Sequence, residues 1–146
     1  MNSPERAWLG KGNTQHAPHT TPQRDAIERV IGKSAGPLTV REIFDHARRR
    51  CGMGIATVYR AVSLLSESGQ VKAVILADGQ TRYEAAHLGH HHHFRCRRRR
   101  RVFDLDVCPV ALAEPTILPG GFRVDGHELT LYGKCPGWNR RRSRSR

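Results

Sequence analysis

Long apolar runs are missing from this chain: no stretch of eighteen apolar residues occurs, and the N-terminus has no signal-peptide core. A membrane span is thereby excluded as a reading, and a cytoplasmic protein is expected. Aromatic residues make up only 6% and hydrophobic residues 38% of the 146 positions. Such a chain builds one ordinary domain or two small ones with modest cores, and two small ones need a metal or a partner subunit. Cysteines are few, at 51, 96, 108 and 135, and in that compartment they read as thiols or ligands rather than as a disulfide framework. Carboxylates are scarce as well, with 13 Asp and Glu against 25 Lys and Arg, for a formal net charge of +12.

That excess is localised. Arg95 and Arg97 through Arg101 supply six positive charges, and Arg140, Arg141, Arg142, Arg144 and Arg146 supply five. Neither stretch contains an acid, and the rest of the chain carries only +1. Both segments are either solvated arginine runs that raise nonspecific phosphate affinity or dedicated contacts to nucleic acid.

Residues 1–19 mix Gly, Pro, Asn and His without an apolar period and read as a disordered arm. Order is expected from Thr21, an N-cap with Pro22 at the first helical position, followed by the stripe Ala26, Ile27, Val30, Ile31. After the Gly36-Pro37 break, Thr39 and Glu42 have capping-box spacing, with Ile43, Phe44 and Ala47 on one face of a second helix. A third helix is predicted from Ile55 to Leu65, with Val58, Ala61, Val62 and Leu65 inward and Tyr59, Arg60 and Ser63 outward. Val71–Leu76 and Thr81–Glu84 then read as strands of a hairpin turned by Ala77, Asp78, Gly79 and Gln80. Three helices and a hairpin make a winged helix-turn-helix, in which the third helix enters the major groove. A plain helical domain with Tyr59 and Arg60 merely covering its surface is the competing reading.

From residue 90 the composition turns to histidine, arginine and short strands. His91–Cys96, Val102–Asp106, Phe122–Val124 and Glu128–Tyr132 are candidate strands, and Pro109–Glu114 a candidate helical turn. The run His90 to His93 is the most informative stretch, because imidazole is the commonest metal ligand. On a strand, His91 and His93 point one way and His90 and His92 the other, so one strand feeds two metal sites. A solvated tract or an expression tag is the alternative, although a tag sits at a terminus and lacks flanking strands. Asp104 and Asp106 form a carboxylate face on the next strand that can approach the histidines. The expected fold is therefore α+β: a winged helix-turn-helix domain at 20–86, a small α/β dimerisation domain at 87–138 and an Arg/Ser tail at 139–146.

Several of these segments together have a family signature. Thr21-Pro22-Gln23-Arg24, Ile55-Ala56-Thr57-Val58-Tyr59-Arg60, Asp78-Gly79 with Arg82-Tyr83-Glu84, the histidines before Cys96, and His127 through Leu131-Tyr132-Gly133-Lys134-Cys135 resemble the ferric uptake regulator superfamily. The zinc-uptake branch is one place within it. The resemblance covers about residues 20 to 138 and implies a dimeric, metal-responsive DNA-binding repressor. It makes the third helix the recognition helix, with Tyr59 and Arg60 meeting bases and phosphates. Arginine offers a donor fork for guanine or phosphate, and tyrosine a ring for a thymine methyl. Thr57, near the helix N-terminus, suits a phosphate.

The resemblance also implies a regulatory metal site at Glu84, His91, His93 and Asp104, joining the wing to the second domain so that occupancy biases a hinge. Where the family commonly adds a histidine, this chain has Pro37, leaving His87, a water, or a four-ligand site. Four ligands favour Zn2+, and five or six favour Fe2+ or Mn2+. A second implied site uses His90, His92 and His127. Its usual glutamate position is Ala111 here, and Glu114 or Cys108 is the substitute; the alternative for His127 is a lone strand histidine.

Many family members hold a structural zinc with two Cys-x-x-Cys pairs. Here these read Cys96-Arg97-Arg98-Arg99 and Cys135-Pro136-Gly137-Trp138. Such a zinc contributes on the order of 10 kcal/mol to folding, so half a ligand set is a real loss. No four-cysteine zinc is expected. Cys96 and Cys135 are read first as buried thiols, then as a disulfide or a poor two-ligand site, while Trp138 can cover the vacated space.

Three functions compete. The first is a zinc-responsive repressor, with Fe2+ or Mn2+ as alternatives, acting as a homodimer on double-stranded DNA. The second is a metal-independent nucleic-acid-binding protein derived from such a sensor, driven by its arginines. The third is a metallohydrolase, since His and carboxylate clusters activate water, but no separate general-base motif exists. No enzyme is expected.

Overall fold

The computed structural model describes residues 21–110 and 112–136. The expected arm at 1–19, the tail at 139–146, Ala111 and Trp138 lie outside the described residues. Helix α1 (Pro22–Gly32) starts where Thr21 accepts the Arg24 N–H at 3.2 Å. Such an N-cap is worth about 1 kcal/mol. Helix α2 (Val40–Ala47) carries a complete capping box, Thr39 accepting from the Glu42 N–H and Glu42 from the Thr39 N–H. Helix α3 runs Ile55–Glu67, two residues beyond the expected end, and has no side-chain cap.

The three helices bury one cluster. Ile27, Ile31, Ile43, Ala47, Val58, Ala61, Val62 and Leu65 form it together with Leu38, Val40 and Val71. The inward set expected for α3 is the buried set, and Tyr59, Arg60 and Ser63 are exposed. A hairpin of β1 (Val71–Ile75) and β2 (Thr81–Ala85) follows in register Val71↔Ala85. Gly79 takes a positive φ of 71° in its turn, which glycine adopts without steric cost. Leu38 and Tyr83 exchange backbone hydrogen bonds of 3.0 and 2.8 Å, so the segment before α2 adds to the hairpin's other edge.

The second half is built on β3 (His92–Cys96), central in a sheet ordered β4-β3-β7. Strand β4 (Val102–Leu105) is antiparallel to it and β7 (Thr130–Gly133) parallel. Between them β5 (Thr116–Ile117) and β6 (Arg123–Val124) form a small separate ribbon. β5 was not expected, and β7 lies further along the chain than the Glu128–Tyr132 reading. The helical turn expected at Pro109–Glu114 is a correction, since no helix occurs there among the described residues. A six-residue stretch barely recovers the cost of helix nucleation, and Pro115 disfavours helical backbone at Glu114.

The two halves meet along β4. The Asp104 N–H donates to the Ala35 carbonyl at 2.8 Å. Gly36 lies so close to this strand that a Cβ there would stand 2.4 Å from the Val102 carbonyl oxygen. A salt bridge adds a second tie: Arg95 Nη2 on β3 is 2.9 Å from Asp78 Oδ2 in the β1–β2 turn. Asp78 also receives both terminal nitrogens of buried Arg82, at 2.9 and 2.7 Å.

Candidate metal centres

The alternation of β3 sorts the histidines as a strand must. His91 and His93 face Glu84 of β2 and Asp104 of β4, and the register His93↔Asp104 sets that carboxylate beside the ring. Glu84 Oε2 is 3.0 Å from His93 Nε2 and 3.3 Å from His91 Nε2. Asp104 Oδ1 is 3.7 and 3.9 Å from the same two nitrogens. Ligand atoms about 2.05 Å from a tetrahedral zinc stand roughly 3.3 Å from one another. The four distances bracket that edge. Asp104 Oδ1 is buried with no hydrogen-bond partner, and burial, then the Glu84 charge, pushes its carboxyl above the ordinary range. A site that crowds two carboxylates around an unpartnered buried oxygen fits a cation.

Burial alone would raise the Glu84 carboxyl, but hydrogen bonds from His93, Lys72 and His91 outweigh it and hold it at about 2. His91 moves upward: burial opposes protonation, while the Gly89 carbonyl, Glu84 and Asp104 favour it more strongly. The sequence reading missed Lys72, whose Nζ lies 3.1 Å from Glu84 Oε1. The cross-strand register Lys72↔Glu84 was the signal for it.

On the other face of β3, His90, His92, His127 and Cys108 bring their ligand atoms within 4.8 Å of one another. His90 and His92 approach Nε2 to Nε2 at 3.2 Å, and Cys108 Sγ lies 3.2 Å from His127 Nε2. His92 is 1% exposed, and burial, then the neighbouring His90 and His127, keep its imidazole below the ordinary range. Three imidazoles whose ring nitrogens converge with a cysteine sulfur fit a soft divalent ion such as zinc. Of the two substitutes left open by the sequence, Cys108 stands in the cluster. Glu114 instead lies 2.9 Å from His127 Nδ1, the outer nitrogen, where a carboxylate fixes the tautomer of a ligating ring. A cavity of about 560 Å³ reaches both clusters, lined by Lys72, Glu84, His90, His91, His93 and His127 among others.

His87 does not fill the place left by Pro37. It is exposed and faces a groove shared with Asp25, Glu28 and Gln70, outside both clusters. Pro37 itself is buried.

Cys96 and Cys135 are buried neighbours, the Cys135 N–H lying 3.4 Å from Cys96 Sγ. A hydrogen bond from Cys135 lowers the Cys96 thiol against the effect of burial, and Cys135 is raised in return. On α3, Tyr59 is 56% exposed and shares a groove with Thr39, Arg41, Gln80 and Thr81. Arg60 is exposed, and Thr57 is half-buried in the first turn of α3.

Comparison with known proteins is consistent with this geometry. The model of the ferric uptake regulator family matches residues 16–132. The ferric uptake regulation protein of Bacillus subtilis (strain 168) is 31% identical over 123 residues, covering 79% of this chain and 81% of its own. The peroxide operon regulator of the same organism is 31% identical over 121 residues, covering 79% and 80%. Among solved structures, a zinc-bound manganese uptake regulator superposes with a TM-score of 0.70 at 30% identity, over 80% of this chain and 89% of that one. With a family model spanning most of its length, the chain belongs to the ferric uptake regulator family and is a metal-responsive transcription regulator, not an enzyme.

Proposed function

We propose that this chain is a homodimeric, zinc-responsive repressor of the cytoplasm that binds a double-stranded DNA operator. Its working parts are a DNA-binding domain at 20–86 and a metal-binding dimerisation domain at 87–138. The observation that carries the reading is the meeting of Glu84, from the wing, with His91, His93 and Asp104, from the following sheet. A bound divalent ion supplies the positive charge that lets these four groups stay together. Glu84 and Asp104 then anchor the wing to β3 and β4, and the hinge angle fixes the separation of the two recognition helices in the dimer. Thr57, Tyr59 and Arg60 make the duplex contacts.

Zinc is favoured over iron or manganese by the four-ligand count at the hinge and by the Cys108 thiol at the second cluster. The relatives leave the choice open, because their names include ferric, peroxide and manganese regulators. Dimerisation is supported by the apolar surface of the second half, where Val107, Ile117, Leu118 and Phe122 are exposed. Cys96 and Cys135 are assigned as a buried thiol pair without zinc.

The exposed arginines of the β3–β4 turn, Arg97 to Arg101, favour one second reading: a metal-independent nucleic-acid binder. Elemental analysis of untagged, reduced protein dialysed against trace zinc separates the two. Two zinc ions per protomer support the sensor, and none overturns it.

A further inference from the structure

A second concave surface lies outside both histidine clusters, at the seam between the two halves. Arg29 and Lys33 at the C-terminal end of α1, His46, Arg49 and Arg50 at the end of α2, and Arg101 at the start of β4 line one groove of about 460 Å³. Among the described residues no carboxylate lines it. Of the two acids adjacent in sequence to its lining, Asp45 is engaged by Arg41 and Arg48, and Glu28 lines a different groove, where it accepts from Gln70 Nε2 at 3.4 Å. Among the described residues none of the five permanent cations makes an ion pair. Arg101 is held in place by stacking, its guanidinium 5.5 Å from the centre of the Phe103 ring.

The bland account is that cations gather where helices end, since each C-terminus carries roughly half a negative charge. That account covers Arg29, Lys33 and His46. It does not cover Arg101, which comes from the other half of the chain, nor Arg49 and Arg50 beyond the end of α2. Two helix ends offset about one charge of the five, so a strong positive excess remains inside a concavity. Its volume falls within the range of ligand pockets, and the guanidinium fork matches phosphate oxygens.

The groove is also set apart from the DNA-reading face. Thr39 and Arg41, at the start of α2, share a groove with Tyr59 and the wing residues Gln80 and Thr81. The basic groove uses the other end of α2, about 12 Å away along eight residues. It is bordered by Ala35, whose carbonyl accepts the inter-half hydrogen bond from Asp104.

We propose that this groove is a binding site for a compact polyphosphate anion, free in solution, that bridges the two halves of the protomer. The proposal is independent of which metal the histidine clusters take.

The test is calorimetric titration of the full-length, zinc-loaded protein with inorganic tripolyphosphate at about 0.15 M salt, where exposed charges are screened beyond roughly 8 Å. One anion per protomer is expected, with affinity falling tenfold or more in Arg49→Gln/Arg50→Gln and in Arg101→Gln. Arg97→Gln/Arg99→Gln removes two charges from the turn that precedes Arg101, outside the groove's lining, and is expected to change affinity less than twofold. Absence of saturable binding, or equal loss in that control, overturns the site. The Arg49→Gln/Arg50→Gln variant titrated with random-sequence duplex separates the other source of phosphate. Unchanged duplex affinity supports a free ligand. A fall in duplex affinity, with a salt slope lower by about two in Arg49→Gln/Arg50→Gln, assigns the groove to the DNA backbone and overturns the proposal.

Discussion

Glu84 Oε2 stands 3.0 Å from His93 Nε2, across the boundary between the wing and the histidine strand. Glu84 is 3% exposed, and Lys72 reaches its other oxygen. Truncation therefore removes the ligand that β2 supplies to the cluster. Glu84→Ala is expected to cost one zinc ion per protomer while leaving the other in place, read by elemental analysis after dialysis. Retention of both ions contradicts the hinge site.

Lys72 competes with a cation for Glu84. Removing the ammonium leaves both carboxylate oxygens to the site, so Lys72→Met is expected to tighten zinc binding there several-fold in chelator competition. Weaker binding would mean that Lys72 organises the site.

The cluster on the opposite face is independent of the hinge if the strand separates them as its alternation implies. His127→Ala and Cys108→Ala should each weaken one zinc by tenfold or more and leave the Glu84 site unchanged. Glu114→Gln acts only on the outer nitrogen of His127, where loss of such a partner commonly costs 10- to 100-fold in metal affinity. A smaller effect for Glu114→Gln than for His127→Ala is the expected order.

Asp78 ties Arg82, which is 3% exposed, to Arg95 of the second half. The Arg82 hydrogen bonds, opposed by burial and helped by the Gln80 N–H and by Arg95, hold its carboxyl well below the usual range. A depressed carboxylate stabilises the fold above its unfolded value near about pH 4 and loses that contribution as the pH falls below it. Asp78→Asn is thus expected to cost about 3 kcal/mol near neutrality. Thermal melts should show the gap to the parent protein narrowing below about pH 4. A gap independent of pH contradicts the ion pair as its source.

Gly36 has no room for a methyl group against Val102 and Phe103 of β4. Gly36→Ala must push the α1–α2 loop away from the strand that carries Asp104. A cost of about 1–3 kcal/mol is expected, with weaker zinc binding at the Glu84 site by competition with a chelator. Unchanged binding would show that Asp104 is dispensable.

The helical half was legible because its signals are local: a Thr-Pro start, a capping box, a 3.6-residue stripe and an Asp-Gly turn. The histidine sorting was legible for the same reason, since strand alternation needs no tertiary information. What stayed hidden depends on chain segments distant in sequence. Cys108 directly precedes Pro109 and Glu114 directly precedes Pro115, so no periodicity tells which of them faces His127. Arg95 reads as one more arginine of a basic run until the fold brings it to Asp78. The groove holding Arg29, Arg50 and Arg101 combines three segments that no motif links. The Cys96–Cys135 proximity was visible only as the remnant of a zinc pattern.

The most direct test of the account is the affinity of the protein, measured by fluorescence anisotropy at fixed salt, for a duplex selected from a random library by the zinc-loaded form. Affinity should be at least tenfold higher with zinc than with a chelator, and Glu84→Ala should abolish the difference. Equal affinity in both conditions would contradict a hinge set by Glu84, His91, His93 and Asp104, and would leave arginine-driven binding in its place.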